Sequence, residues 1–335
     1  MKVSASIYSS TNKPLMEVIR ELDQYRIDYF HIDCRDNMDV FKDIATIRTM
    51  SKTPVDLHII TPNPEKYYEK IAETKVEFVT FQYENLTEPL LIPDYVKSSM
   101  GLAIVSETPV DVFAPYADKF DFMLFMATTP GVSGQSFNKD NFRKIRAFKK
   151  LFPDKTMEVD GGVNAEVSFI LRNMGVDSAV VGSYLFTQET LGMALLNLKS
   201  NKSESHYIIK DFMVEANELP VLNEHAVTFE SALTLIDKYA LGFVMVVDDN
   251  YALSGMITNA DVRKGLLRNI KKLNGITKEN ITNRNPLSIQ QNKTITELLN
   301  LIKHSKFPVS YLPVVDEKNR LTGALTFNNL IKGEL

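Results

Sequence analysis

Eight short apolar runs punctuate the first 200 residues, and the stretches between several of them carry helical periodicity. The runs are Lys2–Tyr8, Ile27–Asp33, Val55–Ile60, Glu77–Tyr83, Gly101–Val105, Phe120–Met126, Thr156–Asp160 and Ser178–Val181. Each is of strand length, and runs this apolar suit strands covered on both faces. Amphipathic stretches lie at Pro14–Tyr25, Val40–Met50, Pro64–Glu73, Asn138–Leu151 and Asn164–Met174. Strands alternating with helices pair in parallel, because a parallel crossover needs a connection of helix length. Eight strands over this length predict an α/β fold, a (β/α)8 TIM barrel, with a doubly wound sheet as the competing architecture.

A barrel of this kind carries its chemistry at the C-terminal ends of its strands. Those ends offer Ser6, then His31 and Asp33, then Asp56 and His58, then Gln82 and Glu84, Met126 to Thr129, Asp160, and Gly182-Ser183. His31 and Asp33 are two apart, so a strand projects both to one face. Alone, that pair reads equally well as a strand-end turn with a buried histidine. The wider pattern favours chemistry. Of the five histidines, only His31 and His58 fall within the barrel region, and both stand at strand ends. Imidazoles and carboxylates converging on one mouth make a mixed N/O site for zinc, iron, cobalt or manganese.

Three glycine-bearing turns come late: Pro130-Gly131-Val132-Ser133-Gly134-Gln135, Asp160-Gly161-Gly162-Val163-Asn164 and Val181-Gly182-Ser183. Glycine lets backbone N–H groups approach an anion, and a following helix start adds positive potential. Together they predict a phosphate cradle at the end of the barrel.

Composition narrows the partners. The net charge is −4 with no long basic run, which disfavours nucleic acid and membrane surfaces. No apolar run reaches bilayer length, and the amino-terminal apolar stretch is too short for a signal peptide. The single cysteine, Cys34, suits a reducing cytoplasm.

Taken together, these residues resemble the ribulose-phosphate 3-epimerase family. The matching stretches are Ser4-Ala5-Ser6-Ile7, His31-Ile32-Asp33, Asp56-Leu57-His58, Phe122 to Met126 running into Pro130-Gly131 and Gly134-Gln135, Val159-Asp160-Gly161-Gly162 and Gly182-Ser183. The resemblance implies a divalent metal held by His31, Asp33, His58 and Asp160. It also implies that Asp33 and Asp160 are the acid/base pair on opposite faces of a sugar phosphate. Inverting a carbon beside a ketone needs a base on one face and an acid on the other, with the enediolate charge offset. Ser6 and His58 would touch substrate oxygens, with Met126 in the pocket. Gly131, Gly134, Gln135, Gly161, Gly162, Gly182 and Ser183 would hold the phosphate.

The departures from the family pattern cluster around the pocket. Arg35-Asp36-Asn37 stands where Met-Asp-Gly is usual, Ile60 where a methionine is expected, and Gln82 where a histidine is common. Val132-Ser133 replaces Phe-Gly, and Thr128-Thr129 replaces Val-Asn. Metal and acid/base positions persist while pocket residues change, which suggests retained chemistry on an altered substrate. Arg35 has two readings. It points inward with His31 and Asp33 to meet a carboxylate or second phosphate of the substrate, or the strand has ended and it pairs with Asp36 or solvent. The related phosphosugar decarboxylases carry Asp-x-Lys-x-x-Asp, and no lysine stands at that place here.

Asn197 to Lys210 is polar and reads as the connection, with the barrel over 1–200, a linker over 201–210 and a second domain over 211–335. That domain contains a weak internal repeat, about 211–272 and 278–335. Val246-Val247-Asp248 with Ser254 to Thr258 aligns with Val314-Val315-Asp316 and Thr322 to Thr326. This half resembles a tandem CBS pair, a regulatory module, and is similar to that of arabinose-5-phosphate isomerases through Asn217 to Val221 and Ile257 to Arg263. The resemblance implies an adenine nucleotide or other effector at Thr258 and Asp261; the second copy keeps Thr326 but has Asn329 in place of the acid. A ligand-free dimerisation unit is the competing reading. His225 and His304 read as structural or solvated.

The sequence thus predicts a metal-dependent ketose-phosphate epimerase with a regulatory and dimerising module, in a homo-oligomer. Ribulose 5-phosphate and xylulose 5-phosphate form the default substrate pair. The alternative is a non-catalytic sensor built on a retired barrel.

Overall fold

The structure is a computed structural model and describes residues 1–129, 134–199, 206–271 and 275–327. Eight strands close into a barrel: β1 (Lys2–Ser6), β2 (Tyr29–Cys34), β3 (Val55–Ile59), β4 (Phe78–Gln82), β5 (Ser99–Val105), β6 (Phe122–Met126), β7 (Thr156–Asp160) and β8 (Ser178–Val181). Each pairs in parallel with the next, and β1 closes on β8. The barrel, not the doubly wound sheet, is therefore the architecture.

The connecting helices are α1 (Leu15–Gln24), α2 (Val40–Arg48), α3 (Tyr68–Thr74), α4 (Asp140–Leu151), α5 (Ala165–Met174), α6 (Ser183–Thr187) and α7 (Leu191–Lys199). After β4 and β5 the connections are 3-10 turns, Tyr83–Asn85 and Val110–Tyr116, matching the absence of a helical period there. Between strands and helices the core is aromatic: Phe30, Phe81, Phe113, Phe125, Phe142 and Phe148 are all fully covered.

The barrel interior is divided by polarity. Strands β5, β6 and β8 contribute an apolar wedge of Ala103, Leu124, Met126 and Val180. The buried polar residues Ser4, His31, Asp56, His58, Thr80, Gln82 and Glu158 all belong to β1 to β4 and β7. Burying so many polar groups is unfavourable unless they are paired or used, so this concentration marks the functional side.

A second compact unit follows, described from His206 to Phe327. It contains β9 (Val214–Glu215), β10 (Val221–Asn223), β11 (Phe243–Val247), β12 (Leu253–Thr258), β13 (Ile289–Gln290), β14 (Tyr311–Val315) and β15 (Leu321–Thr326). Its helices are α8 (Ile209–Phe212), α9 (Phe229–Tyr239), α10 (Asn259–Arg268), α11 (Lys278–Ile281) and α12 (Ile295–Lys303). The sheets run β10-β11-β12 and β13-β14-β15-β9.

The repeat read from the sequence is physical. Hairpins β11–β12 and β14–β15 are both antiparallel and shift register at the same place, Val246/Val247 and Val314/Val315. The shared aspartate closes each hairpin. Asp248 Oδ1 accepts from the Asn250 and Ala252 amides at 2.9 and 2.8 Å, and Asp316 Oδ1 from Lys318 and Arg320 at 2.9 and 2.8 Å.

Ile209 and Lys210, within the 201–210 linker of the sequence reading, are bonded into the second unit. Ile209 is fully buried, its amide donates to the Lys293 carbonyl at 2.8 Å, and the Lys210 amide donates to Gln291 at 2.9 Å. The polar run ahead of this segment masked an apolar anchor. Among the described residues, no helix is long and apolar enough to cross a membrane.

Candidate active site

Register builds the site. Ser6 lies beside His31, His31 beside Asp56, Asp33 beside His58, and Met126 beside Asp160. One ligand atom each from His31, Asp33, His58 and Asp160 falls within 4.8 Å of the others. The four residues named from the sequence therefore come together at the C-terminal mouth.

Both imidazoles are oriented from behind. His31 Nδ1 donates to Asp56 Oδ2 at 2.7 Å, and Ser4 Oγ donates to the same oxygen at 2.7 Å. His31 Nε2 then faces Asp33 Oδ1 at 3.3 Å and Asp160 Oδ2 at 3.9 Å. His58 Nε2 donates to Gln82 Oε1 at 2.9 Å. That leaves His58 Nδ1 buried without a hydrogen-bond partner, 3.3 Å from Asp33 Oδ1. An orphaned, buried imidazole nitrogen aimed at a carboxylate is what a metal ligand presents when its other nitrogen is tied back. Two nitrogens and two carboxylates with no thiolate suit the mid-row divalent metals.

The ionisation states are pulled apart. Burial acts to raise Asp33, but the hydrogen bond from His31 and the closeness of both imidazoles outweigh that and hold it well below the usual carboxylate range. Burial pushes Asp160 up to about 6, with the Asp33 and Asp56 charges adding to it and the nearby imidazoles opposing. Burial would lower His31, yet the Asp56 charge and the hydrogen bonds of Asp33 and Asp56 carry it well above the ordinary histidine value. One carboxylate is thus held ionised while its neighbour keeps a proton into the weakly acidic range. Acid/base pairs require that separation.

The sequence reading placed Asp56 at the strand end, and the structure corrects this. Asp56 precedes His58 by two residues on β3, so it faces the same way about 6.6 Å deeper. It is 1% exposed and serves as the anchor for His31. Glu158 stands in the same relation to Asp160 and was missed. Burial first, then the Asp56 charge, raise its carboxyl well above the usual range, and Ser178 Oγ donates to it at 3.0 Å. The alternation Glu158-Val159-Asp160 was the available signal.

Around this centre the remaining positions fall differently. β2 ends at Cys34, so Arg35 is not an inward strand residue; its side chain is 52% exposed. It nonetheless turns back over the mouth, with Nη2 3.9 Å from Asp33 Oδ2. Asp36 is otherwise engaged, accepting from Thr61 Oγ1 at 2.7 Å and Tyr67 Oη at 3.1 Å and pairing with Lys66. Ser6 Oγ accepts from Ser9 Oγ at 2.9 Å, and Ser9 also crowds Gly182. Met126 is 1% exposed and packs in the apolar wedge, level with Asp160 in the register.

The turn after β7 needs its glycines. Gly161 and Gly162 have φ of 108° and 66°, and a Cβ on either would strike Thr128 or the Phe137 backbone. Gly162→Ala is expected to cost about 1–3 kcal/mol of stability, read as a lowered urea midpoint. An unchanged midpoint would contradict the close backbone approach. Gly134 also has positive φ. Gln135 is committed within its own loop, where its Oε1 accepts from the Thr129 amide at 2.9 Å. Gly182 and Ser183 form the start of α6. Gly131 lies outside the described residues.

In the second unit, Thr258 and Asp261 meet at the start of α10. Asp261 Oδ2 accepts from the Thr258 amide and hydroxyl at 3.0 and 2.6 Å. The Thr-x-x-Asp spacing is therefore a helix capping box, which commits one carboxylate oxygen. Thr326 ends β15, and Asn329 lies outside the described residues.

Comparison with known proteins agrees with this geometry. Residues 2–186 match the ribulose-phosphate 3 epimerase family, and residues 278–334 match the CBS domain. A ribulose-phosphate 3-epimerase of Methanocaldococcus jannaschii is 28% identical over 229 residues, covering 64% of this chain and 96% of that protein. Those of Schizosaccharomyces pombe and Bacillus subtilis are 25% and 27% identical, each covering 60% of this chain and 93% and 100% of their own. Among solved structures, the CBS-pair protein CBSX2 of Arabidopsis thaliana is 26% identical, covering 38% of this chain and 94% of its own, with a TM-score of 0.32. With more than half its length matched, a closed barrel and a two-carboxylate, two-imidazole mouth, this chain belongs to the ribulose-phosphate 3-epimerase family and carries a CBS module after the barrel.

Proposed function

We propose that the barrel inverts the carbon beside the ketone of a ketose phosphate by proton transfer between Asp33 and Asp160. The observation that carries this reading is the convergence of the two carboxylates on one imidazole nitrogen at the mouth, Asp33 Oδ1 at 3.3 Å and Asp160 Oδ2 at 3.9 Å from His31 Nε2. Asp33, ionised, takes the proton from the carbon on one face. Asp160, protonated, delivers one on the other, and the return reaction exchanges the roles. The intervening enediolate carries negative charge, which a neighbouring positive group must offset. A divalent ion held by His31, Asp33, His58 and Asp160 would supply Lewis-acid polarisation of the substrate carbonyl. Ser6 lies next to His31 in the register, within reach of substrate oxygens. The turns at Gly161-Gly162 and Gly182-Ser183 would take the terminal phosphate, whose binding energy fixes the reacting carbon.

The experiment is solvent deuterium uptake by a panel of ketose phosphates incubated with metal-loaded protein. Uptake at the carbon beside the ketone is expected. Its absence across the panel would leave a sugar-phosphate sensor as the better account.

Ribulose 5-phosphate and xylulose 5-phosphate are the default pair, and Arg35 argues for a substrate with a further anionic group. A guanidinium over the rim adds one positive charge where the family pattern has methionine. Arg35→Met is expected to shift kcat/KM by about tenfold or more toward the pentulose phosphate. Equal preference before and after would remove Arg35 from recognition.

For the second unit we propose a regulatory and dimerising role, with an adenine nucleotide or other effector beside Thr258 and the carboxylate oxygen of Asp261 left outside the capping box. Calorimetric titration with adenine nucleotides and the mass in solution test the two halves of that role.

A further inference from the structure

We propose that Gln82 and Glu84 form a relay that decides which nitrogen of His58 faces the acid/base centre, making both positioning residues. The inference deepens the metal-site reading above and rests on it for its functional meaning.

The two histidines are held by different chemistry. His31 is tied back by a carboxylate, Asp56, which accepts from its Nδ1. His58 is tied back by an amide, Gln82, at 2.9 Å. A carboxylate can only accept from an imidazole, so it fixes the tautomer by itself. An amide can turn over and present either its oxygen or its NH2, so something else must hold it.

Glu84 does so. Gln82 Nε2 donates to Glu84 Oε2 at 2.5 Å and lies 3.5 Å from the Ala103 carbonyl. Glu84 is anchored in turn, because its Oε1 accepts from the Val105 amide at 2.9 Å and from Thr108 Oγ1. With its NH2 committed to a carboxylate, Gln82 can only offer its oxygen to His58. His58 Nε2 must then carry the proton, which leaves Nδ1 free to ligate a cation lying between it and Asp33. Turning the amide over would set NH2 against Nε2, move the proton to Nδ1 and block that nitrogen as a ligand. Gln82 is 1% exposed and His58 is fully covered, so no water competes for the bond between them.

The test separates the relay from the packing. Long-range proton–nitrogen NMR of metal-free, histidine-labelled full-length protein reads the His58 tautomer, and zinc titration reads affinity. Wild type is expected to hold the Nε2–H tautomer. Glu84→Leu, which touches no ligand, is expected to give mixed tautomers and zinc binding weaker by about 10–100-fold, as is Gln82→Leu. The double variant Q82E/E84Q reverses the polarity of the relay while keeping an acceptor against His58, and is expected to restore both. Single variants with the wild-type tautomer and affinity within about threefold would overturn the relay, as would a double variant that folds yet fails to recover. The two readings fail differently. Protein that binds no zinc while its His58 tautomer follows the variants refutes the metal site and supports the relay. Tight zinc binding that the variants do not disturb refutes the relay alone.

Discussion

Asp160→Asn is expected to lower turnover by about 10³–10⁴-fold while the fold and sugar-phosphate binding persist. The substitution keeps the shape of the side chain and removes its capacity to give and take a proton. It also removes one carboxylate from the ligand set, so residual activity should not recover with added metal. A second consequence has the opposite sign. The Asp160 carboxyl is raised from 3.8 to about 6, so its neutral form is favoured by folding. That contribution is complete below the unfolded value and is lost as pH rises through the folded one. At pH 8 the metal-free variant should therefore be more stable than wild type, by up to about 3 kcal/mol for a shift of this size. Near-normal deuterium exchange in Asp160→Asn would remove Asp160 from the mechanism.

Stripping the protein with a chelator is expected to reduce epimerisation by on the order of 100-fold or more, since Lewis-acid stabilisation supplies several kcal/mol. Refilling with zinc, iron, cobalt or manganese should restore it to different degrees. The proton balance gives a sharper readout. His31 is raised well above the ordinary histidine value, so metal-free protein carries an imidazolium at neutral pH. An incoming ion must displace that proton, and affinity should climb by about tenfold per pH unit until His31 loses the proton unaided. Calorimetry in buffers of different ionisation enthalpy measures the release directly. Full activity in chelated protein, or an affinity flat with pH, would count against a metal at this mouth.

Much of the barrel was legible because period and length are local properties. The eight strand candidates overlap the eight strands observed, with ends displaced by one or two residues at β1 to β6 and coincident at β7 and β8. The four clustered residues were legible for the same reason: positions two apart on a strand share a face, and parallel register places the C-terminal ends level. Depth was harder to see. Asp56 and His58 look equivalent in the sequence, yet one anchors and the other faces the mouth, and only the stagger between strands decides which. Gln82 looked like a lost histidine, and its hydrogen bonds to His58 and Glu84 join residues 24 and 2 positions away. At Arg35 the alternation failed because β2 stops at Cys34 and Asp36 takes a left-handed φ of 52°. In the second unit, Thr258-x-x-Asp261 starts a helix, and its capping box ties up one of the two carboxylate oxygens the ligand reading relied on.

The turn that follows β2 has a wider bearing. Asp36 is clamped by Thr61, Tyr67 and Lys66, so the bend that carries Arg35 is braced from β3's side of the mouth and does not depend on the side chain at 35. On the function proposed, the acid/base groups would sit on the staves while the selector would ride on a bolted bracket. A lineage can exchange the tool on that bracket and leave the staves untouched, which is how one reaction can be carried from sugar to sugar without recasting the machine.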